Sequence, residues 1–161
     1  MRKTTPTPFE ATGLAAIAGL RSMAAPALLS QTLRRGDLEG LRGTPFTALG
    51  RPKVSITLQL LMIGEMLGDK APVVPSRTSA PGLLGRVLSG SLVGAALFVA
   101  GDRRPIPGAA LGAISAVAAA YVGEKLRVEA TDKLGVPNSV AGLLEDGIVL
   151  FSGTRLLRKK R

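Results

Sequence analysis

Two short apolar stretches of this chain carry acids in their middles: VSITLQLLMIGEMLGDKAP holds Glu65 and Asp69, and SVAGLLEDGIVLF holds Glu145 and Asp146. Beside apolar segments long enough to enter a bilayer, such charges are costly to bury. They persist only where something pairs with them or uses them. A helix satisfies its own backbone in lipid, and helices packed together can turn their carboxylates inward. No stretch alternates polar and apolar residues with a period of two for long enough to suggest a sheet. The expected fold is therefore all-α, a polytopic helical membrane bundle with a charged interior.

Five apolar segments, short or broken, are expected at about 9–33, 54–70, 83–101, 105–126 and 139–157. A polar connector at 34–53 and a basic tail at 155–161 complete a single membrane domain over residues 1–161. The second segment is too short to cross untilted, so it is predicted to end inside the protein or to leave Asp69 and Lys70 at membrane depth. In the third, Gly85/Ser89 and Gly90/Gly94 have small-xxx-small spacing, and Gly108, Gly112, Ala116 and Ala120 repeat the device in the fourth. Small residues let backbones approach, so a tight helix crossing is predicted there. Arg2 and Lys3 before an Ala-rich run imitate a signal peptide, but Glu10 and Arg21 interrupt its apolar core, and no cleavage is expected.

Composition narrows the function classes. The 161 residues are 46% hydrophobic with 20 Gly and 11 Pro, which suits membrane helices, whereas 3% aromatics and no Trp leave almost no headgroup belt. The absence of Cys and His removes disulfides, thiolate nucleophiles, zinc fingers and imidazole bases. A formal charge of +10 suits nucleic acid, but the basic residues sit between and after apolar runs with no aromatic residues among them. Anionic headgroups are the expected partner, particularly of the basic tail, and nucleic acid is not. With five full crossings, the basic residues weigh toward the side carrying the 34–53 connector and the tail, predicting a cytoplasmic C-terminus.

The charged residues form the candidate site. Glu65 and Asp69 stand four residues apart and share a helix face. Arg21, Lys70 and Arg77 are the candidate cations, with small neighbours Gly19, Ser22, Ala24 and Ala25 around Arg21. Glu145 and Asp146 are adjacent and point about 100° apart, so they are expected to meet different partners. A faint echo links an Arg-bearing then acid-bearing pair of segments at each end of the chain, the pattern of an inverted repeat. The hydroxyls Ser22, Ser76 and Thr78 lie near the charges without any hydrolase motif around them, and no P-loop or dinucleotide fingerprint occurs. Oxygen ligands suited to Mg²⁺ or Ca²⁺ are present but scattered over two segments. No catalytic residue, cofactor or resident metal is expected.

GLRS at 19–22, GEMLGDKAPVVPSRT at 64–78, LLGRVLSGSLVGAAL at 83–97, GAISAVAAAYVGEKLR and LLEDGIVL at 143–150 resemble a family of small bacterial integral membrane proteins catalogued as domain of unknown function 4126. The likeness covers roughly Phe9 to Leu157. It implies insertion in the bacterial inner membrane, and a site near Arg21, Glu65, Asp69, Lys70, Arg77, Glu145 and Asp146. It brings no activity. The leading expectation is a small ion or solute transporter or channel with an acid-lined interior, acting as a homo-oligomer. The alternative is a structural or accessory membrane protein whose buried charges are only internal ion pairs.

Overall fold

Helix α1, Pro8–Leu20, starts at a reciprocal cap, in which Glu10 N–H donates to Thr7 Oγ1 at 3.2 Å and Thr7 N–H donates to Glu10 Oε2 at 2.8 Å. It stops at Arg21, whose backbone is extended, and α2 follows at Ala24–Arg34. The first apolar segment is thus two helices rather than one. Pro26 explains the break: in a continuous helix its ring would collide with the Ser22 carbonyl, to which it also has no N–H to offer. Placed in the first turn of a new helix, the same proline sits where an N–H has no intrahelical partner anyway.

The remaining elements are α3 (Pro52–Gly68), α4 (Ala80–Ala100), α5 (Pro105–Val128), and α6 (Asn138–Leu156). Short 3-10 turns at Glu39–Leu41 and Pro45–Gly50 precede α3, and a π turn at Glu129–Lys133 prolongs α5. The computed structural model describes residues 6–68 and 78–157, and among these there is no strand. The protein is all-α. The 34–53 connector is more ordered than its Gly and charge content predicted, because Leu38 and Leu41 are buried in the core and tether it. Their spacing of three on a 3-10 turn puts both on one side.

Helices α4 and α5 form a close antiparallel pair, and α1 packs into the pair. The glycines set the approach: a Cβ on Gly90 would lie 2.6 Å from the Gly112 carbonyl oxygen, and one on Gly108 would lie 2.5 Å from that of Gly94. Gly19 of α1 meets the Ala116 carbonyl in the same way, and Ala116 and Ala120 are fully buried. The Gly90/Gly94 stripe and its partner on α5 therefore act as predicted. Gly85 does not, since nothing lies within 4 Å of its would-be Cβ.

Chain direction follows from the end contacts. Arg103 Nη1 donates to the Pro6 carbonyl at 2.9 Å, Gly40 touches Ala100, Gly50 touches Leu33, and Gly13 touches Leu156. One end of the bundle thus gathers the starts of α1, α3 and α5 with the ends of α2, α4 and α6. The turn between α1 and α2 lies deep in the bundle, about 20 Å from that end at 1.5 Å per residue.

The tight crossing predicts an asymmetry among glycine variants. Gly112→Val forces the α4 backbone away, and should cost about 3 kcal/mol or more or abolish folding. Gly85→Ala, facing open space in a helix, should gain about 0.5–1 kcal/mol. Thermal unfolding of the purified variants measures both.

Candidate functional site

Breaking a helix leaves backbone groups to be satisfied, and away from water each costs several kcal/mol if it is not. The Ser22 and Met23 N–H groups, freed by the break, both point at the Glu65 carboxylate of α3. Ser22 N–H donates to Oε1 at 2.8 Å, Ser22 Oγ to Oε1 at 3.0 Å, and Met23 N–H to Oε2 at 2.8 Å. Met23, at the N-cap of α2, has no oxygen with which to cap its own helix, and Glu65 supplies the carboxylate from another helix. Negative charge also suits the positive end of the α2 dipole.

The orphaned carbonyls are met from α4. Gly19 C=O, which would have accepted from Met23 in a continuous helix, accepts from Arg86 Nε at 2.9 Å. Ser22 C=O, which would have faced Pro26, accepts from Ser89 Oγ. Arg86 is 7% exposed, also donates from Nη1 to Gly82 C=O at 2.9 Å, and brings Nη2 to 4.0 Å from Glu65 Oε1.

Arg21 is buried to 1% exposure beside this break. Its Nε lies 2.9 Å from Asp146 Oδ1 of α6, and its Nη1 donates to the Glu65 carbonyl at 3.5 Å. The neighbouring Glu145 takes a different partner, Arg127 of α5, at 3.8 Å. This is the divergence expected of adjacent residues on a helix. Gly142, one turn before Asp146, makes room for both arginines: a Cβ there would meet Arg127 Nη2 at 2.6 Å and Arg21 Nη2 at 4.0 Å.

Of the residues singled out in the sequence, Arg21, Glu65, Glu145 and Asp146 are drawn into one buried network spanning the α1–α2 turn, α3, α4, α5 and α6. Asp69, Lys70 and Arg77 lie outside the described residues. Among the described residues the cation brought to the Glu65 carboxylate is Arg86, which was not among the cations expected there. Arg86, Ser89 and Arg127 are the additions. A signal existed for the first: an arginine in the middle of LLGRVLSG, in an otherwise apolar helix, meets the same cost as the acids. Ser89 could be found only through its partner carbonyl. Among the described residues no three acids converge as a metal site would require.

If the Glu65 carboxylate caps α2, its removal should be felt as lost charge-assisted hydrogen bonds, each worth about 1.5–3 kcal/mol. Glu65→Ala is expected to destabilise by about 3 kcal/mol, Glu65→Gln by about half of that because an amide oxygen still accepts, and Ser89→Ala by about 1 kcal/mol. A Glu65→Ala variant as stable as the wild type in chemical unfolding would show that the cap contributes nothing.

No curated protein and no solved structure matches the chain. The family described as Domain of unknown function (DUF4126) matches residues 9–155, a range that takes in the α1–α2 break and every charged residue of the network just described. This chain is a member of that family.

Proposed function

We propose that the protein is a multi-pass protein of the bacterial inner membrane that moves a small ion or solute through its charged interior. Helix α4 has 21 residues, and α5 with its π turn has 29, and both are apolar and long enough to cross a bilayer. Only 28% of the apolar window of the longer one is buried, where the core helix of a soluble protein would be mostly covered. Large apolar side chains also face outward from α3, α4, α5 and α6, among them Leu60, Leu88, Ile114, Val122, Leu144 and Phe151. Lipid as the surrounding solvent accounts for that surface.

The observation that carries the transport reading is the discontinuous α1–α2 segment, whose break lies deep among the helices and is held by charged side chains. Broken helices meeting at depth are how transporters present backbone and charge to a solute. The pair formed by Arg21 and Asp146 joins the first and last segments of the chain, which is where a site between two inverted halves would lie. In this reading Glu65 is the group that exchanges partners, taking up the proton or cation and leaving the N–H groups at the α2 N-terminus to an anionic group of the solute or to water.

A second reading has its own support. Glu65, Asp146 and Glu145 each face an arginine, Arg86, Arg21 and Arg127 respectively, as expected if the pairs only fix the packing of short helices.

Flux separates the two. In liposomes the wild type should dissipate an imposed proton or cation gradient, and Glu65→Gln should abolish that flux while keeping a folded, monodisperse protein in detergent. A wild type that conducts nothing, with a Glu65→Gln variant altered only in stability, leaves the structural reading standing.

A further inference from the structure

The outer surface of the bundle is charged very differently at its two ends. The end that gathers the start of α1 exposes Arg34, Arg35, Arg42, Arg51, Arg103 and Arg104, with Lys53 and Arg155 beside them. Two of these arginines lie over aromatic rings, Arg103 at 5.7 Å from the Phe98 centroid and Arg155 at 5.2 Å from that of Phe151. Such stacking holds the guanidinium at the border between an apolar surface and water. Acids at this end are fewer: Glu10, Asp37, Glu39 and Asp102. At the opposite end, among the described residues, Lys125 and Lys133 are set against Glu124, Glu129 and Asp132. The contrast lies along the bundle axis, with most of the exposed apolar side chains between the two ends and Phe9 and Ile106 at the arginine-rich one.

Resting on the membrane reading above, we infer that the arginine-rich end docks against the anionic headgroups of the cytoplasmic leaflet, and that α1 and α2 enter and leave the membrane from that same side without crossing it. Both ends of the described chain then face the cytoplasm. The α1–α2 hairpin is short enough for this. Its arms of 13 and 11 residues reach about 20 Å and 17 Å, against roughly 30 Å of hydrocarbon. A run of α3, α4, α5 and α6 through the bilayer returns the chain to its starting side, with α3 and α6, at 17 and 19 residues, reaching about 25 Å and 28 Å and so crossing a locally thinned bilayer. Arginines at that surface each gain about 1 kcal/mol from anionic lipid, enough in sum to fix the orientation. This differs from five full crossings, which would put the start of α1 and the 34–53 connector on opposite sides. The reason is Pro26, which turns the first segment back on itself.

The absence of native cysteine makes the test direct. Thr7→Cys and Glu39→Cys report on the arginine-rich end, and Asp132→Cys on the other, using a membrane-impermeant maleimide on intact cells and on inverted vesicles. Thr7→Cys and Glu39→Cys should react only in inverted vesicles, and Asp132→Cys only in intact cells. Reaction of Thr7→Cys and Glu39→Cys from opposite sides overturns the hairpin. Reaction of both only in intact cells overturns docking on the cytoplasmic leaflet. Replacing Arg34, Arg35, Arg42 and Arg51 together by Gln should let a fraction of molecules react from the wrong side, and an unchanged orientation overturns the role given to these charges. Loss of the membrane reading itself looks different, because alkaline carbonate would then strip the wild type from membranes.

Discussion

The interruption at Arg21–Met23 is the constraint to which the rest of the bundle responds. Once Pro26 prevents a continuous helix, the N–H groups of Ser22 and Met23 and the carbonyls of Gly19 and Ser22 need partners that the local chain cannot give. All four find partners on other helices: Glu65 of α3 for the two donors, Arg86 and Ser89 of α4 for the two acceptors. The broken backbone is therefore the point at which distant segments are held to a single arrangement. A helix packed only by its apolar side chains could slide or rotate at modest cost. One whose open backbone groups are matched to a carboxylate, a guanidinium and a hydroxyl cannot.

The glycine stripe of α4 and α5 serves that arrangement. Arg86 and Ser89 lie just before Gly90 and Gly94, on the stretch where α4 meets α5 backbone to backbone, while Gly19 lets α1 settle on Ala116 beside them. The close approach brings the α1 terminus within reach of the Arg86 guanidinium. Larger residues at these positions would separate the helices by more than a hydrogen bond can span. Packing and polar satisfaction are thus two sides of one contact. The same economy recurs at Gly142, whose missing side chain is the space that Arg127 and Arg21 occupy.

Charge is also sorted by depth. Arg21, Arg86 and Arg127 turn inward to carboxylates, while the other arginines of the described chain collect at one end, two of them on aromatic faces. An arginine kept away from water needs a carboxylate or a carbonyl, whereas one at the rim needs only solvent or a headgroup. This sorting explains how a chain of formal charge +10 keeps an apolar exterior between its ends.

Much of this was legible in the amino-acid order. Apolar run lengths and the want of period-two alternation determined an all-helical chain, the four-residue spacing of small residues determined the α4–α5 contact, and the adjacency of Glu145 and Asp146 determined that they would diverge. Glu65 stood out because an acid in an apolar helix must have a partner. What the order of residues left open was which partner. Arg86 is 21 positions from Glu65, and Asp146 is 125 from Arg21, so both pairings depend on how whole helices pack. Likewise the first segment was expected as one run over 9–33, and only the packing of α3 and α4 against the break at Pro26 decided that it would turn back and how its open backbone would be satisfied. Local sequence fixes the conformations a segment can adopt on its own, while the match between a buried donor and a distant acceptor exists only once the chain has closed around them.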